Sequence, residues 1–173
     1  MNNRIFGAVL AGGRSRRMGC DKAAILYEGT TLLERVVAAG LHAGLPMLVV
    51  GRERPQGFPH SSVRFVTDQY PDSGPLGGLL TAFAHLEGDC LALACDLPRL
   101  DSATLAWLLT TAASFDPAQD VVASVDGQCQ PLFTLWRRSS TERLARAFAA
   151  GERSLIRCLV ASGCAVIPLP EQF

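Results

Sequence analysis

A chain of 173 residues, nearly half of them apolar, is long enough to bury a substantial core and is expected to form one domain over 1–173. Sixteen basic side chains balance sixteen acidic ones. That balance argues against broad electrostatic binding to nucleic acid or to an anionic membrane surface and leaves room for a local basic site.

The predicted elements alternate between short apolar runs and helical periodicities. Residues 4–11, RIFGAVLA, do not alternate and read as a strand buried on both faces. Residues 30–44 read as a helix, with Thr31 and Glu34 at capping-box spacing and Leu32, Leu33, Val36, Val37 and Leu41 in one stripe. Gly44 and Pro46 close it. PMLVVG (46–51) and SVRFVTD (62–68) read as strands, with a polar, proline-bearing loop over 51–62 between them. The run from Gly74 has Pro75 at a first helical position, although Gly77 and Gly78 weaken that opening turn. CLALAC (90–95) is a wholly apolar strand ending on Asp96, and Asp101 is placed to cap a helix over 101–113. Strands over 120–125 and 131–136 flank an Asp126-Gly127 turn. Two closing helices and a last strand, CAVIPLP, complete the chain.

This alternation is that of an α/β protein: a three-layer, doubly wound, mostly parallel sheet with helices on both faces. In such sheets ligands lie beyond the carboxyl ends of the strands. The polar residues there are few: Gly12 to Lys22 after the first strand, Asp68 after the third and Asp96 after the fourth. The six cysteines form no CxxC pair and the three histidines no metal-ligand spacing, so the cysteines read as reduced thiols. No apolar run is long enough to span a membrane, the N-terminus lacks the pattern of a secretory leader, and a cytoplasmic location is expected.

The stretch VLAGGRSRRMGCDKA (9–23) concentrates glycines and positive charge in one turn. Gly12 and Gly13 let backbone N–H groups approach a ligand, and Arg14, Arg16, Arg17 and Lys22 can reach phosphate oxygens. The spacing is neither a Walker P-loop nor GxGxxG. The other reading is a solvated basic loop in which the glycines only turn the chain. Asp96, at the end of a buried strand, is either a ligand for Mg²⁺ or a carboxylate holding the turn before Pro98. Asp68 is either a ligand contact or a turn residue beside Pro and Gly.

LAGGRSRRMGCDKA resembles the nucleotidyltransferase signature L-A-[GA]-G-x-[SG]-x-R-M-G-x-[DP]-K. Its double-Gly, Asp-Lys form is similar to that of molybdenum cofactor guanylyltransferases of the MobA type. DQYPDSGPLGGL, LACDLPRL, QPLFTLW and GERSLIRCL resemble further blocks of that family in the same order. The resemblance implies transfer of GMP from Mg²⁺-GTP to the terminal phosphate of molybdopterin, with GTP and molybdopterin as partners. Transient contact with other cofactor-biosynthesis proteins or apo-molybdoenzymes is implied as well, and neither nucleic acid nor membrane. It carries nucleotide contacts onto Leu10, Ala11, Gly12, Gly13, Lys22, Gly51, Asp68 and Asp96, with Mg²⁺ on Asp96. Catalytic roles fall on Lys22, Asp96 and Arg17, and places near the pterin phosphate or triphosphate on Arg17, Gly19 and Arg153. Gly51 stands where the family often has Asn, and Gln130 where His is frequent. The family's closing F-x-N-x-N-T-P-x-D block would begin at Phe173, where the sequence stops; either residues beyond it are missing or the pterin is handled differently. The alternatives are a CTP-dependent sister enzyme, disfavoured by Gly12 and Asp21, and a catalytically idle nucleotide- or cofactor-binding relative.

Overall fold

The computed structural model describes residues 4–12 and 21–170. Its centre is a seven-stranded sheet built from β1 (Ile5–Leu10), β4 (Met47–Val50), β5 (Arg64–Val66), β6 (Asp89–Ala94), β7 (Val121–Val125), β8 (Gln128–Trp136) and β9 (Ala165–Pro168). The order is β5-β4-β1-β6-β8-β7-β9. All pairings are parallel except those made by β8, which runs antiparallel to β6 and to β7. From β1 the chain builds outward through β4 and β5, then returns to lay β6 on the other side of β1. The connections therefore part between β1 and β6 and open a crevice at the carboxyl ends of those strands.

Both sheet faces are covered, which explains why the strands read as continuous apolar runs. Val9, Val49, Leu91, Leu93 and Leu135 pack under α1 (Leu32–His42) and α3 (Ser102–Ala112). Ala8, Leu48, Val50, Ala92 and Trp136 pack under α2 (Gly74–His85), α4 (Thr141–Ala149) and α5 (Leu155–Ser162). The predicted caps are in place. Thr31 and Glu34 form a reciprocal capping box on α1, and the Asp101 carboxylate accepts the Thr104 N–H at 2.8 Å on α3.

Two local expectations are corrected and a third is extended. Thr30–Thr31, assigned above to the start of a helix, forms strand β3 and pairs with β2 (Leu26–Tyr27) around a Glu28-Gly29 turn with positive φ at both residues. β8 begins at Gln128 rather than at Pro131. Its register with β7 shifts between Val122 and Ser124, and this irregularity accommodates a proline that has no N–H for the ladder. Gly77 does not merely weaken the first turn of α2. A Cβ there would stand 2.9 Å from the Tyr70 Cβ, so the missing side chain lets the 68–73 loop lie against the helix.

The antiparallel β8 carries its last residues to the amino-terminal edge of the parallel strands. There Arg137 and Arg138 meet Asp89 and Asp120. Arg137 Nη1 donates to Asp89 at 3.1 Å and both residues are under a tenth exposed. The buried Asp120 carboxylate accepts the Arg137 N–H, the Ser140 hydroxyl and Arg143 Nη2, at 2.8, 2.8 and 2.6 Å. Burial pushes the Asp120 pKa up, against the lowering effect of these hydrogen bonds and of the Arg143 and Arg137 charges. The edge strands are short: β5 has three residues and includes exposed Arg64, and β9 ends on Pro168. No helix among the described residues is long and apolar enough to cross a membrane.

Two predictions follow from these contacts. Asp120→Ala leaves Arg143 and the Ser140 hydroxyl without their buried acceptor and should cost about 3–5 kcal/mol in denaturant unfolding. Glu152 gives a pH signature. It accepts from Arg157 Nε at 2.6 Å, from Arg157 Nη2 and from the backbone N–H groups of Ser154 and Arg153, which pull its pKa from 4.5 down to about 2. A depressed carboxylate pKa stabilises the fold above the unfolded-state value, and this gain disappears as pH falls through the folded value. Unfolding curves should therefore show wild type losing its advantage over Glu152→Gln between pH 4.5 and about 2.

Candidate functional site

Four adjacent strands each deliver a residue within two positions of their carboxyl end to one edge: Gly12 after β1, Gly51 after β4, Asp68 after β5 and Asp96 after β6. Two hydrogen bonds extend the ladder past the strand ends, from the Ala11 N–H to the Val50 carbonyl and from the Gly51 N–H to the Val66 carbonyl, both at 2.9 Å. They bring the backbones of Gly12 and Gly51 into direct contact. A Cβ on Gly51 would lie 2.4 Å from the Gly12 Cα, and its φ of +90° favours glycine independently. The result is a floor of bare backbone. Asp68 stands beside it. Its Oδ1 is held by the Tyr70 N–H and the Thr81 hydroxyl, each at 2.9 Å, while Oδ2 faces Gly12.

Lys22 is the only lysine of the chain; all its other basic side chains, histidines apart, are arginines. It opens a single 3-10 turn, Lys22–Ala24, whose Ala23 is buried against the α1 layer. Its ammonium donates to Asp96 Oδ2 at 2.7 Å. The hydrogen bond and charge of Asp96 hold the Lys22 pKa above its ordinary value, so the ammonium stays protonated. Both side chains remain substantially open to solvent, 43% and 39% exposed, so the pair is a surface contact that a stronger anion can displace. The preceding residue is paired as well: the Asp21 carboxylate caps the turn and receives the Arg52 guanidinium. Cys95, beside these charges, keeps its proton because burial, and then the Asp96 charge, raises its pKa.

On its other side Asp96 lines a cavity of about 550 Å³. Its apolar lining includes Leu97, Pro98 and Leu100 after β6 and Pro131, Leu132 and Phe133 of β8. Arg99, Thr104 and Gln130 are also among its lining residues. Gly12, Gly51, Asp68 and Lys22 do not line this cavity. Asp96 thus holds the Lys22 ammonium and also lines a largely apolar cavity.

Of the residues singled out in the sequence, the structure brings together Ala11, Gly12, Lys22, Gly51, Asp68 and Asp96. Leu10 precedes them, but its side chain is buried and packs near Gly78 of α2. Gly13, Arg14, Arg16, Arg17, Gly19 and Cys20 lie outside the described residues. Arg153 sits in the α4–α5 connection, 4.0 Å over the Phe148 ring, with its backbone beside Gly74 at the start of α2. Sequence reasoning missed Arg52, Thr81 and the cavity. Thr81 left one signal, a polar residue amid the apolar run of α2. Arg52 left none, because its partner lies 31 positions away.

A family model described as MobA-like NTP transferase domain matches residues 7–165. A Chloroflexus aggregans protein described as a probable molybdenum cofactor guanylyltransferase is 37% identical over 86% of this chain and 73% of its own length. The molybdenum cofactor guanylyltransferase of Xanthomonas euvesicatoria is 36% identical over 86% of this chain and 75% of its own length. Among solved structures, molybdopterin-guanine dinucleotide biosynthesis protein A of Archaeoglobus fulgidus superposes with a TM-score of 0.72 at 26% identity, covering 94% of this chain and 83% of that one. A Francisella tularensis 2-C-methyl-D-erythritol 4-phosphate cytidylyltransferase shares the fold, with a TM-score of 0.75 at 11% identity and coverage of 98% and 92%. With strand ends, glycine floor and matched span in agreement, the chain belongs to the MobA-like NTP transferase family and is a nucleotidyltransferase.

Proposed function

We propose that this chain transfers GMP from GTP to the terminal phosphate of molybdopterin and releases pyrophosphate. The observation that carries the reading is the position of Asp96, paired with the sole lysine on one side and lining an apolar cavity on the other. A donor nucleotide and a ring-bearing acceptor need such neighbouring compartments, with charge neutralisation where they meet. The names of the Chloroflexus, Xanthomonas and Archaeoglobus relatives support the same choice of substrates.

In this reading an oxygen of the acceptor phosphate attacks the α-phosphorus of GTP and forms the new P–O bond. The bond to the bridging oxygen breaks and its electron pair leaves with pyrophosphate. The attacking phosphate is already anionic, so no protein base is required; the protein must hold two polyanions in line. Lys22 exchanges Asp96 for the phosphates, and the glycine floor with Asp68 receives the nucleoside. Among the described residues no three His, Cys, Asp or Glu side chains gather to hold a metal by themselves. A single hard carboxylate at Asp96 nevertheless fits Mg²⁺, which is commonly held by one or two carboxylates plus substrate phosphates. When bound there, the ion supplies further neutralisation of the phosphates.

Calorimetric titration with GTP, CTP, ATP and UTP in Mg²⁺ tests the reading. GTP should bind in preference to the others, and Asp96→Ala should abolish Mg²⁺-dependent transfer with the fold retained. A preference for CTP would identify the cytidylyl reaction instead. Lys22→Arg keeps the charge but replaces a compact ammonium with a broad planar fork, and should weaken GTP binding about ten-fold or more. Gly51→Ala should reduce nucleotide binding, since its Cβ would push the two glycine backbones apart. Wild-type binding in that variant would remove the floor from the site.

A further inference from the structure

We infer that Arg52 is a positioning residue for Lys22 and acts through Asp21. The Arg52 guanidinium spans the Asp21 carboxylate with two contacts, Nη1 to Oδ1 at 3.3 Å and Nη2 to Oδ2 at 2.5 Å. Oδ1 of Asp21 also accepts the Ala23 N–H at 3.1 Å, and so caps the single turn that begins at Lys22. The same carboxylate therefore links the cation of one segment to the backbone that carries the lysine of another.

The burial pattern separates this pair from an incidental surface contact. The Arg52 side chain is 22% exposed, and its Nε is buried with no hydrogen-bond partner among the described residues. A guanidinium withdrawn from water that far depends on its remaining bonds, and among the described residues they go to Asp21. Arg52 is itself anchored, because it follows Gly51, which is fixed by its bond to Val66 and by contact with Gly12. On the far side of the turn, Ala23 is buried and the Ile25 carbonyl accepts the Leu32 N–H at 2.9 Å at the start of α1.

Lys22 thus rises from a turn clamped between β4 and α1. A long lysine side chain can reach many places, and where its Cα is held decides which anion its ammonium meets. In the structure that anion is Asp96. The contribution of the clamp to phosphate binding rests on the proposed function, whereas the clamp on Lys22 does not.

The singularity of Lys22 supplies a direct readout. Protein without nucleotide is treated with a limiting amine-acetylating ester, and acetylation at Lys22 is followed by peptide mass spectrometry. Asp96→Asn gives the rate for an unpaired ammonium. Arg52→Gln and Asp21→Asn should each raise the Lys22 rate several-fold toward that reference, and the double variant should be no faster than either single one. Arg52→Lys, which keeps the charge but cannot span both carboxylate oxygens, should give a rate between those of wild type and Arg52→Gln. In Mg²⁺-GTP titrations, the two single variants should weaken binding to a similar extent, about ten-fold, with the thermal midpoint little changed.

Wild-type acetylation rates in Arg52→Gln would overturn the inference. So would weakened GTP binding in Arg52→Gln with none in Asp21→Asn, which would mean that the arginine touches the nucleotide itself. Should Arg52→Gln fail to fold, Asp21→Asn decides the case, because its amide oxygen can still cap the turn. Absence of GTP binding by wild type would overturn the proposed donor, while the acetylation rates would still decide the clamp.

Discussion

A sheet covered by helices on both faces admits almost no polar side chain along its strands, because each would lose its water without gaining a partner. Ala8, Val9, Val49, Leu91, Ala92 and Leu93, all fully buried, follow this constraint, and the buried Thr134 of β8 meets it by donating its hydroxyl to the Gln130 carbonyl. Charge is thereby driven to the strand ends. The two ends of the sheet treat it in opposite ways, and the character of the molecule follows from that contrast.

At the amino-terminal edge the charges are closed on one another. Asp89, Asp120, Arg137 and Ser140 are all under a tenth exposed, and their bonds tie the start of β6 and β7 to the end of β8. Removing one partner from such a set is destabilising because the others stay buried. At the carboxyl edge Lys22 and Asp96 meet in the open, in a contact that solvent already weakens. One end is closed on itself, while the pair at the other is open to solvent and can part without disturbing the core.

How much of this the sequence disclosed depended on whether the determinant was local. Apolar runs revealed the strands, and the Thr31–Glu34 and Asp101–Thr104 caps were legible because both partners lie within one turn. Asp68 and Asp96 could be singled out because each follows an apolar strand. The small β2–β3 hairpin was hidden because two-residue strands have no periodicity. The contact of Gly12 with Gly51, the Arg52–Asp21 pair and the cavity across Asp96 all join segments distant in sequence. Composition at either partner alone does not announce them. The role of Gly51 illustrates the point: on sequence it marks a lost side-chain contact, whereas in space the missing side chain is what lets two strand ends touch.

The borders of the sheet bear on behaviour in a crowded cell. An open strand edge offers unpaired N–H and C=O groups to any other extended chain, and long, flat, apolar edges seed ordered aggregates. Here β5 offers only three residues, one of them the exposed Arg64. β9 offers four and ends in a proline that has no N–H to donate. Such borders make poor templates for intermolecular sheet growth. A protein whose strands are otherwise so uniformly apolar thus carries, at its two margins, a built-in brake on stacking into fibres.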